Sequence, residues 1–245
     1  MAELASIRCL DDNYAWLVHD HGCTLLVDAP EAAPILAELD RRGWGLDVIL
    51  LTHHHDDHIQ AVAEIVAATG AQVWGNAADA ARLPPLDRAL EPGADTELCG
   101  QPLRVIDVPG HTVGHVAYHL PQAGLAFTAD SLMAMGCGRL FEGTPAQMWE
   151  SLTRLAALPD DTLICSGHDY ARGNGGFALA VDPGNQALKD RLDATLAGRR
   201  PAAPATLAEE KATNPFLRAQ ALARPGEDAL ASFTRLRAEK DAFRG

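Results

Sequence analysis

Thr52-His53-His54-His55-Asp56-Asp57-His58 places four histidines and two aspartates in one short turn between two apolar segments. Packing gives no reason for such a run, since buried ionisable side chains are expensive unless they are paired or hold a metal. It therefore reads as a metal site. The preceding residues, 47–51, are a short apolar run with β-branched members, as expected of a buried parallel strand. The following residues, 59–69, read as one helix. Val62, Ile65 and Val66 recur on one face, and Gly70 is placed to stop the helix. The donors thus sit at a strand's carboxyl end, where α/β sheets place their chemistry on a loop held between rigid elements.

Working outward, residues 14–18 and 24–28 read as a β-hairpin around His19-Asp20-His21-Gly22, and 31–42 as a helix with Pro34 in its first turn. A short strand is expected at 72–74 and a surface connection over 77–92. Strands are expected at 103–108, 116–120 and 125–128, the last two around Pro121-Gln122-Ala123-Gly124. A Gly-rich loop at 135–139 leads to a helix over 145–158, with Thr144 as N-cap and Pro145 at its first position. The last clear strand, 161–165, ends at Ser166-Gly167-His168-Asp169-Tyr170. Beyond residue 171, Ala, Leu, Arg and Glu at helical spacing predict an all-helical appendage. This gives two domains, 1–170 and 171–245.

The 245 residues carry 20 basic and 33 acidic side chains, a formal charge of −13, which is unsuited to neutralising a phosphate backbone. A local exception is the basic cluster Arg235, Arg237, Lys240 and Arg244, suited to an anionic ligand. MAELASIRCL lacks the basic start and apolar core of a signal peptide, and no apolar run reaches membrane-spanning length. A cytoplasmic chain without nucleic-acid or membrane partners is expected. Five cysteines with no CxxC spacing fit reduced thiols better than a disulfide framework.

Zinc- or iron-type ions take imidazole and carboxylate ligands at roughly 2.0–2.2 Å, so donors must converge from rigid elements. His53 and His55, two apart in an extended loop, project to one side. Asp57 and His58 open the next helix. With His111, His168 and Asp130 at other strand ends, the inventory matches a dinuclear hydrolytic centre with ions about 3.5–4 Å apart. His54 and Asp56 alternate with these donors and should point away, and His19, His21, His115 and His119 are read as ordinary residues.

THHHDDH fits the THxHxDH signature of the metallo-β-lactamase superfamily, and PGHTVGH, TADS and SGHDY resemble its later ligand motifs in the same order. Residues 136–144, GCGRLFEGT, and the tail at 237–243 narrow the resemblance to glyoxalase II, the hydroxyacylglutathione hydrolases. It runs nearly end to end, although Gln60-Ala61 stands where the family usually carries two glycines. The resemblance implies an αββα sandwich of the metallo-β-lactamase fold, followed by a C-terminal helical domain. It implies two divalent ions, zinc first, with iron or manganese also accommodated. His53, His55 and His111 would hold one ion, and Asp57, His58 and His168 the other. Asp130 would bridge them together with a water, and Asp57 and Asp130 would serve catalysis. A glutathione site would fall on Arg139, Tyr170, Asn174, Arg237 and Lys240, where cations meet the tripeptide's carboxylates.

The implied reaction is hydrolysis of S-D-lactoylglutathione to glutathione and D-lactate, the second step of methylglyoxal detoxification, by a monomer. The same donors also suit a persulfide dioxygenase, a lactonase, a β-lactamase or a thioesterase on another thiol. A non-catalytic zinc-stabilised module would need a closed site.

Overall fold

The structure, a computed structural model, describes residues 2–244. Its chain divides into two compact units, Met1–Asp107 with Gly114–Phe127, and Val108–Val113 with Thr128–Gly245.

In the first unit, β1 (Glu3–Cys9), β2 (Asn13–Asp20) and β3 (Cys23–Val27) pair antiparallel. Helix α1 (Ala32–Arg42) then leads to β4 (Val48–Leu51), which runs parallel to β3 and is buried along its whole length. The donor segment follows, entering α2 (Asp56–Ile59) and α3 (Val62–Thr69), after which β5 (Gln72–Asn76) pairs parallel with β4. The single helix expected over 59–69 is therefore two, broken at Gln60-Ala61. Gly70 stops α3 in the left-handed conformation, as its position foretold. A 3-10 turn (Ala77–Asp79) and β6 (Arg88–Leu90), parallel to β5, occupy the stretch read as a connection. Four antiparallel strands follow: β7 (Asp95–Leu98), β8 (Gln101–Asp107), β9 (Val116–Leu120) and β10 (Leu125–Ala129). Ile35, Leu39, Ile49, Leu51, Val62, Ile65 and Val73 form the apolar core behind the donor segment.

The cysteine expectation fails. Cys23 and Cys99 are disulfide-bonded with Cα atoms 5.6 Å apart, and Cys9, Cys137 and Cys165 are buried thiols. Cys99 lies in, and Cys23 directly follows, a two-residue hairpin turn whose φ angles are positive: Cys99 at 54° with Gly100 at 72°, and His21 at 50° with Gly22 at 77°. Turns of this hand match the twist of paired strands.

In the second unit, β11 (Leu132–Met133) and β12 (Gly136–Cys137) make a small hairpin. Helix α4 (Pro145–Ala156) starts at a full capping box. Thr144 Oγ1 accepts from Gln147 N at 3.2 Å, and Gln147 Oε1 accepts from Thr144 N at 2.9 Å. Strand β13 (Leu163–Ser166) pairs with β14 (Ala205–Thr206), a strand inside the stretch expected to be wholly helical. Helices α5 (Ala171–Val181), α6 (Gln186–Leu196), α7 (Leu207–Thr213) and α8 (Ala229–Ala242) make up the rest. Phe216 lies with its ring centroid 6.0 Å from Phe177 and 5.8 Å from Phe233, joining α5 and α8 through one aromatic cluster.

Candidate metal centre

The first unit holds four of the seven expected donors. After β4 the chain leaves the sheet without helix or strand through 52–55, is extended at His55, and turns helical at Asp56. His53 and His55 share a side, and His53 Nε2 lies 3.1 Å from His55 Nδ1. His54 points elsewhere, its Nδ1 being 3.3 Å from Asp79 Oδ2. Asp57 and His58 occupy the first turn of α2, with Asp57 Oδ2 3.8 Å from His58 Nε2.

Hydrogen-bond chemistry fixes the ring tautomers here. A carboxylate only accepts, so the 2.8 Å contact of His58 Nδ1 with Asp28 Oδ2 places the proton on Nδ1. Thr52 Oγ1 donates to the same Asp28 oxygen at 2.8 Å, which uses its one hydrogen. It can then only accept from His53 Nδ1 at 3.0 Å. Both rings thus keep Nε2 as the lone-pair atom, the form a metal needs. Asp28 is the residue that the sequence analysis missed. It is buried at the end of β3 in a left-handed conformation, φ 59°, and Oδ1 accepts from Thr52 N at 2.9 Å. Its signal was available: a polar residue at the end of an apolar strand, the same cue that singles out His111 and Asp130. Ligand atoms of Asp28, His53 and His58 lie within 4.8 Å of one another. Asp28 nonetheless spends its oxygens on Thr52 and His58, which places it to orient the expected donors His53 and His58. Asn13 donates from Nδ2 to Asp57 O and Oδ2, both at 3.0 Å.

The second unit holds the other three donors. His111 Nδ1 contacts Arg139 O at 2.8 Å, and a carbonyl likewise only accepts, leaving Nε2 as the donor atom, 3.3 Å from Asp130 Oδ2. His168 Nε2 lies 3.4 Å from Asp130 Oδ1, and its ring stacks on Tyr170 at 4.7 Å. Two imidazole nitrogens and two carboxylate oxygens thus converge, the donor types that a zinc- or iron-type ion takes, so the set fits a divalent ion. Gly138 is required beside it, since a Cβ there would lie 1.9 Å from Asp130 O.

Of the expected glutathione contacts, Arg139 and Tyr170 are exposed, at 60% for the Arg139 side chain and 41% for Tyr170. Lys240 Nζ donates to Gly173 O at 2.9 Å, and burial, then the charge of Arg237, lowers its pKa. Asn174 and Arg237 are buried and turned inward. Asn174 Nδ2 donates to Ala134 O at 3.2 Å, while Arg237 donates to Cys137 O and to Asp241 Oδ1, each at 2.8 Å. Asp241 also lies 3.4 Å from Arg139 Nε, so one carboxylate holds both guanidiniums.

Residues 10–168 match the family model of the metallo-beta-lactamase superfamily, and residues 169–243 that of the hydroxyacylglutathione hydrolase C-terminus. The chain is 56% identical over 252 residues to a hydroxyacylglutathione hydrolase of Ruegeria pomeroyi, covering 98% of this chain and 99% of that protein. It is 59% identical to one of Fuscovulum blasticum, covering 98% of each. Among solved structures it resembles ETHE1 from Myxococcus xanthus, with a TM-score of 0.67, 26% identity, and 95% of this chain and 89% of that one covered. It also resembles TTHA1623 in a di-iron-bound form, with a TM-score of 0.65, 27% identity, and 87% and 99% covered.

Proposed function

We propose that this chain, which belongs to the metallo-β-lactamase superfamily and has its fold, hydrolyses the thioester of S-(2-hydroxyacyl)glutathione, S-D-lactoylglutathione first among them, to glutathione and the 2-hydroxy acid. The observation that carries this reading is the match of residues 169–243 to the hydroxyacylglutathione hydrolase C-terminus. That segment supplies Tyr170, Asn174, Arg237 and Lys240. The division of labour we propose, a metal-binding domain to residue 170 and a thiol-recognising helical domain beyond it, agrees with the meeting of the two family models at 168 and 169.

The histidine and aspartate clusters suit divalent metal ions. In our reading there are two, most simply zinc. His53, His55 and His111 would hold one, Asp57, His58 and His168 would hold the other, and Asp130 would serve both. Such ions, when bound, act as Lewis acids on water and on an acyl carbonyl. The chain's own residues do the remaining work. Asn13 holds Asp57 Oδ2, which orients the carboxylate to take the proton of the attacking water. Arg139 and Lys240 meet the carboxylates of the tripeptide, and Tyr170 flanks it. A thiolate leaves readily, so the site needs no strong general acid. Among the described residues no helix is long and apolar enough to cross a membrane. We place the enzyme in the cytoplasm, acting as a monomer on a small thioester.

Lactoylglutathione hydrolysis, followed by release of free thiol beside elemental analysis of the purified protein, tests the reading. Thiol release with two ions per chain is expected. His55→Ala and Asp130→Ala should lose metal and activity together, and full turnover in either at normal metal content overturns the assignments. Oxygen uptake with glutathione persulfide in place of thiol release would replace the hydrolase by a dioxygenase.

A further inference from the structure

Asp79 is a carboxylate that neither the sequence motif nor the donor set uses, although its side chain is only 2% exposed. We infer that it is a positioning residue for the donor loop, acting through His54. Its Oδ1 accepts from Arg82 Nε at 2.5 Å, its Oδ2 lies 3.3 Å from His54 Nδ1, and Arg82 Nη1 lies 3.4 Å from His54 Nε2. The ring of His54 thus stands between two charged groups, the Asp79 side an ion-pair approach and not a formed hydrogen bond, on the face of the loop opposite to His53 and His55. His53 and His55 approach each other on the other side, 3.1 Å between ring nitrogens, so fixing the ring of His54 fixes the direction in which its two neighbours project.

The other flank of His53 is tied to the same carboxylate. Asn76 caps the 3-10 turn that carries Asp79, its Oδ1 accepting from Ala78 N at 3.1 Å, and its Nδ2 donates to Gly114 O at 2.9 Å. Gly114 packs so closely on Asp79 that a Cβ there would fall 2.3 Å from Cγ. The next residue, His115, stacks its ring on His53 at 4.6 Å, and Val116 N donates to Thr52 O at 2.9 Å. One buried group therefore supports both the backbone beside His53 and the ring packed on it. A carboxylate this buried is costly, and Arg82 alone could neutralise it. Its second oxygen is aimed at the loop.

This inference rests on the reading of His53 and His55 as ion donors, and the test separates the two. Full-length protein loaded with cobalt(II) is followed by its visible spectrum and by competition with a chelator. Groups behind metal ligands typically change affinity 10–100-fold, and Asp79 acts one residue removed, so Asp79→Ala should hold cobalt about tenfold less tightly, with a changed spectrum. Asp79→Asn should fall between Asp79→Ala and the parent chain. Gly114→Ala should reproduce the Asp79→Ala effect by displacing the carboxylate. The double variant should be no worse than either single change, because both act through one contact. Parent-like cobalt affinity and spectrum in Asp79→Ala and Gly114→Ala would overturn the inference even if both melt earlier. If His55→Ala loses cobalt while those two do not, only the role of Asp79 falls. If the parent chain binds no cobalt, the donor assignment falls and this inference with it.

Discussion

In the first unit Asp28, Thr52, His53 and His58 are buried together, and in the second Arg191, Glu210, Thr213 and Asn214 are as well. Both clusters are polar, and each is stitched across more than twenty residues of sequence, yet their hydrogens run in opposite directions. Around Glu210, donors end on acceptors inside the cluster. Arg191 pairs with one carboxylate oxygen and donates to Thr213 Oγ1 at 2.7 Å. The other oxygen accepts from Met135 N at 3.0 Å and from Asn214 Nδ2 at 3.1 Å. Around Asp28, Thr52 Oγ1 and His58 Nδ1 send their hydrogens to one carboxylate oxygen and His53 Nδ1 sends its own to Thr52 Oγ1, so Nε2 of both rings is the lone-pair atom. A cluster closed by its own hydrogens holds a fold. One that points its hydrogens backwards and its lone pairs forwards is built to receive a cation.

Breaking the closed cluster should have the larger effect on stability. Glu210→Ala removes the buried carboxylate that pairs with the guanidinium of Arg191 and leaves it only Glu209, 3.7 Å from Nε, a loss of about 3 kcal/mol. It also releases the β11–β12 hairpin, which Asn214 holds through Met133 O at 3.1 Å and Gly136 O at 2.8 Å. Urea denaturation measures it, and the loss should be the same with and without a chelator. A loss below about 1 kcal/mol, or one seen only with metal bound, would erase the distinction between the clusters.

A second perturbation should weaken the first unit while leaving its donors alone. Reducing Cys23–Cys99, or replacing Cys23 by Ser, frees a cross-link spanning 76 residues and should cost about 2–4 kcal/mol. Cobalt affinity should be unchanged. Alkylation of the native protein at pH 8 should add no groups before reduction and two after it. Cys9 stays unreactive because burial, and then the charge of Glu31, pushes its pKa up to about 12. Burial likewise raises the thiols of Cys137 and Cys165. Labelling of the untreated protein at Cys23 or Cys99 would restore the reduced state that the sequence suggested.

Asp28→Asn is the sharper probe of the open cluster. Thr52 N still needs an acceptor and keeps the amide oxygen, so the amide NH2 faces His58 Nδ1 and donates, which moves the ring proton to Nε2, where it blocks coordination. Metal affinity should fall 10–100-fold, about 1.4–2.7 kcal/mol, with little change in the melting of chelator-treated protein. If Asp28→Asn binds cobalt like the parent chain, His58 is not a donor.

These cases also show what the sequence could disclose. Patterns closed within a few residues were legible: β9 over its exact span, the buried parallel β4, the left-handed stop at Gly70 and the start of α4. The seven proposed donors could be singled out because each lies in a short motif. Asp28 was passed over because its partners are 24 and 30 residues away, and Cys23 with Cys99 because nothing local pairs them. Strand β1, half exposed and alternating, and the three-residue β6 carry too little apolar signal to stand out. The break between α2 and α3 was hidden because Gln60 and Ala61 are both good helix formers. What sets it is tertiary: Ala29 accepts from Ala61 N at 3.0 Å and donates to His58 O at 2.7 Å, pinning the α2 turn to the end of β3.

The smallest expected effect tests the comparison from its quiet side. Thr144→Ala removes the side-chain half of the capping box of α4, a loss of about 1 kcal/mol. The cap lies close to a donor in the chain's own contacts: Gly143 N donates to Gly110 O at 3.0 Å, and Ser151 Oγ, one face further along α4, donates to Pro109 O at 2.7 Å, so the loop carrying His111 rests on this helix. If stability and metal binding are separable, as the two clusters imply, the variant should melt a few degrees lower and hold cobalt as tightly as the parent chain, because Arg139 O still fixes the His111 tautomer. A parallel fall in cobalt affinity would mean that the loop's position, and not only its hydrogen bond, is set by the helix start.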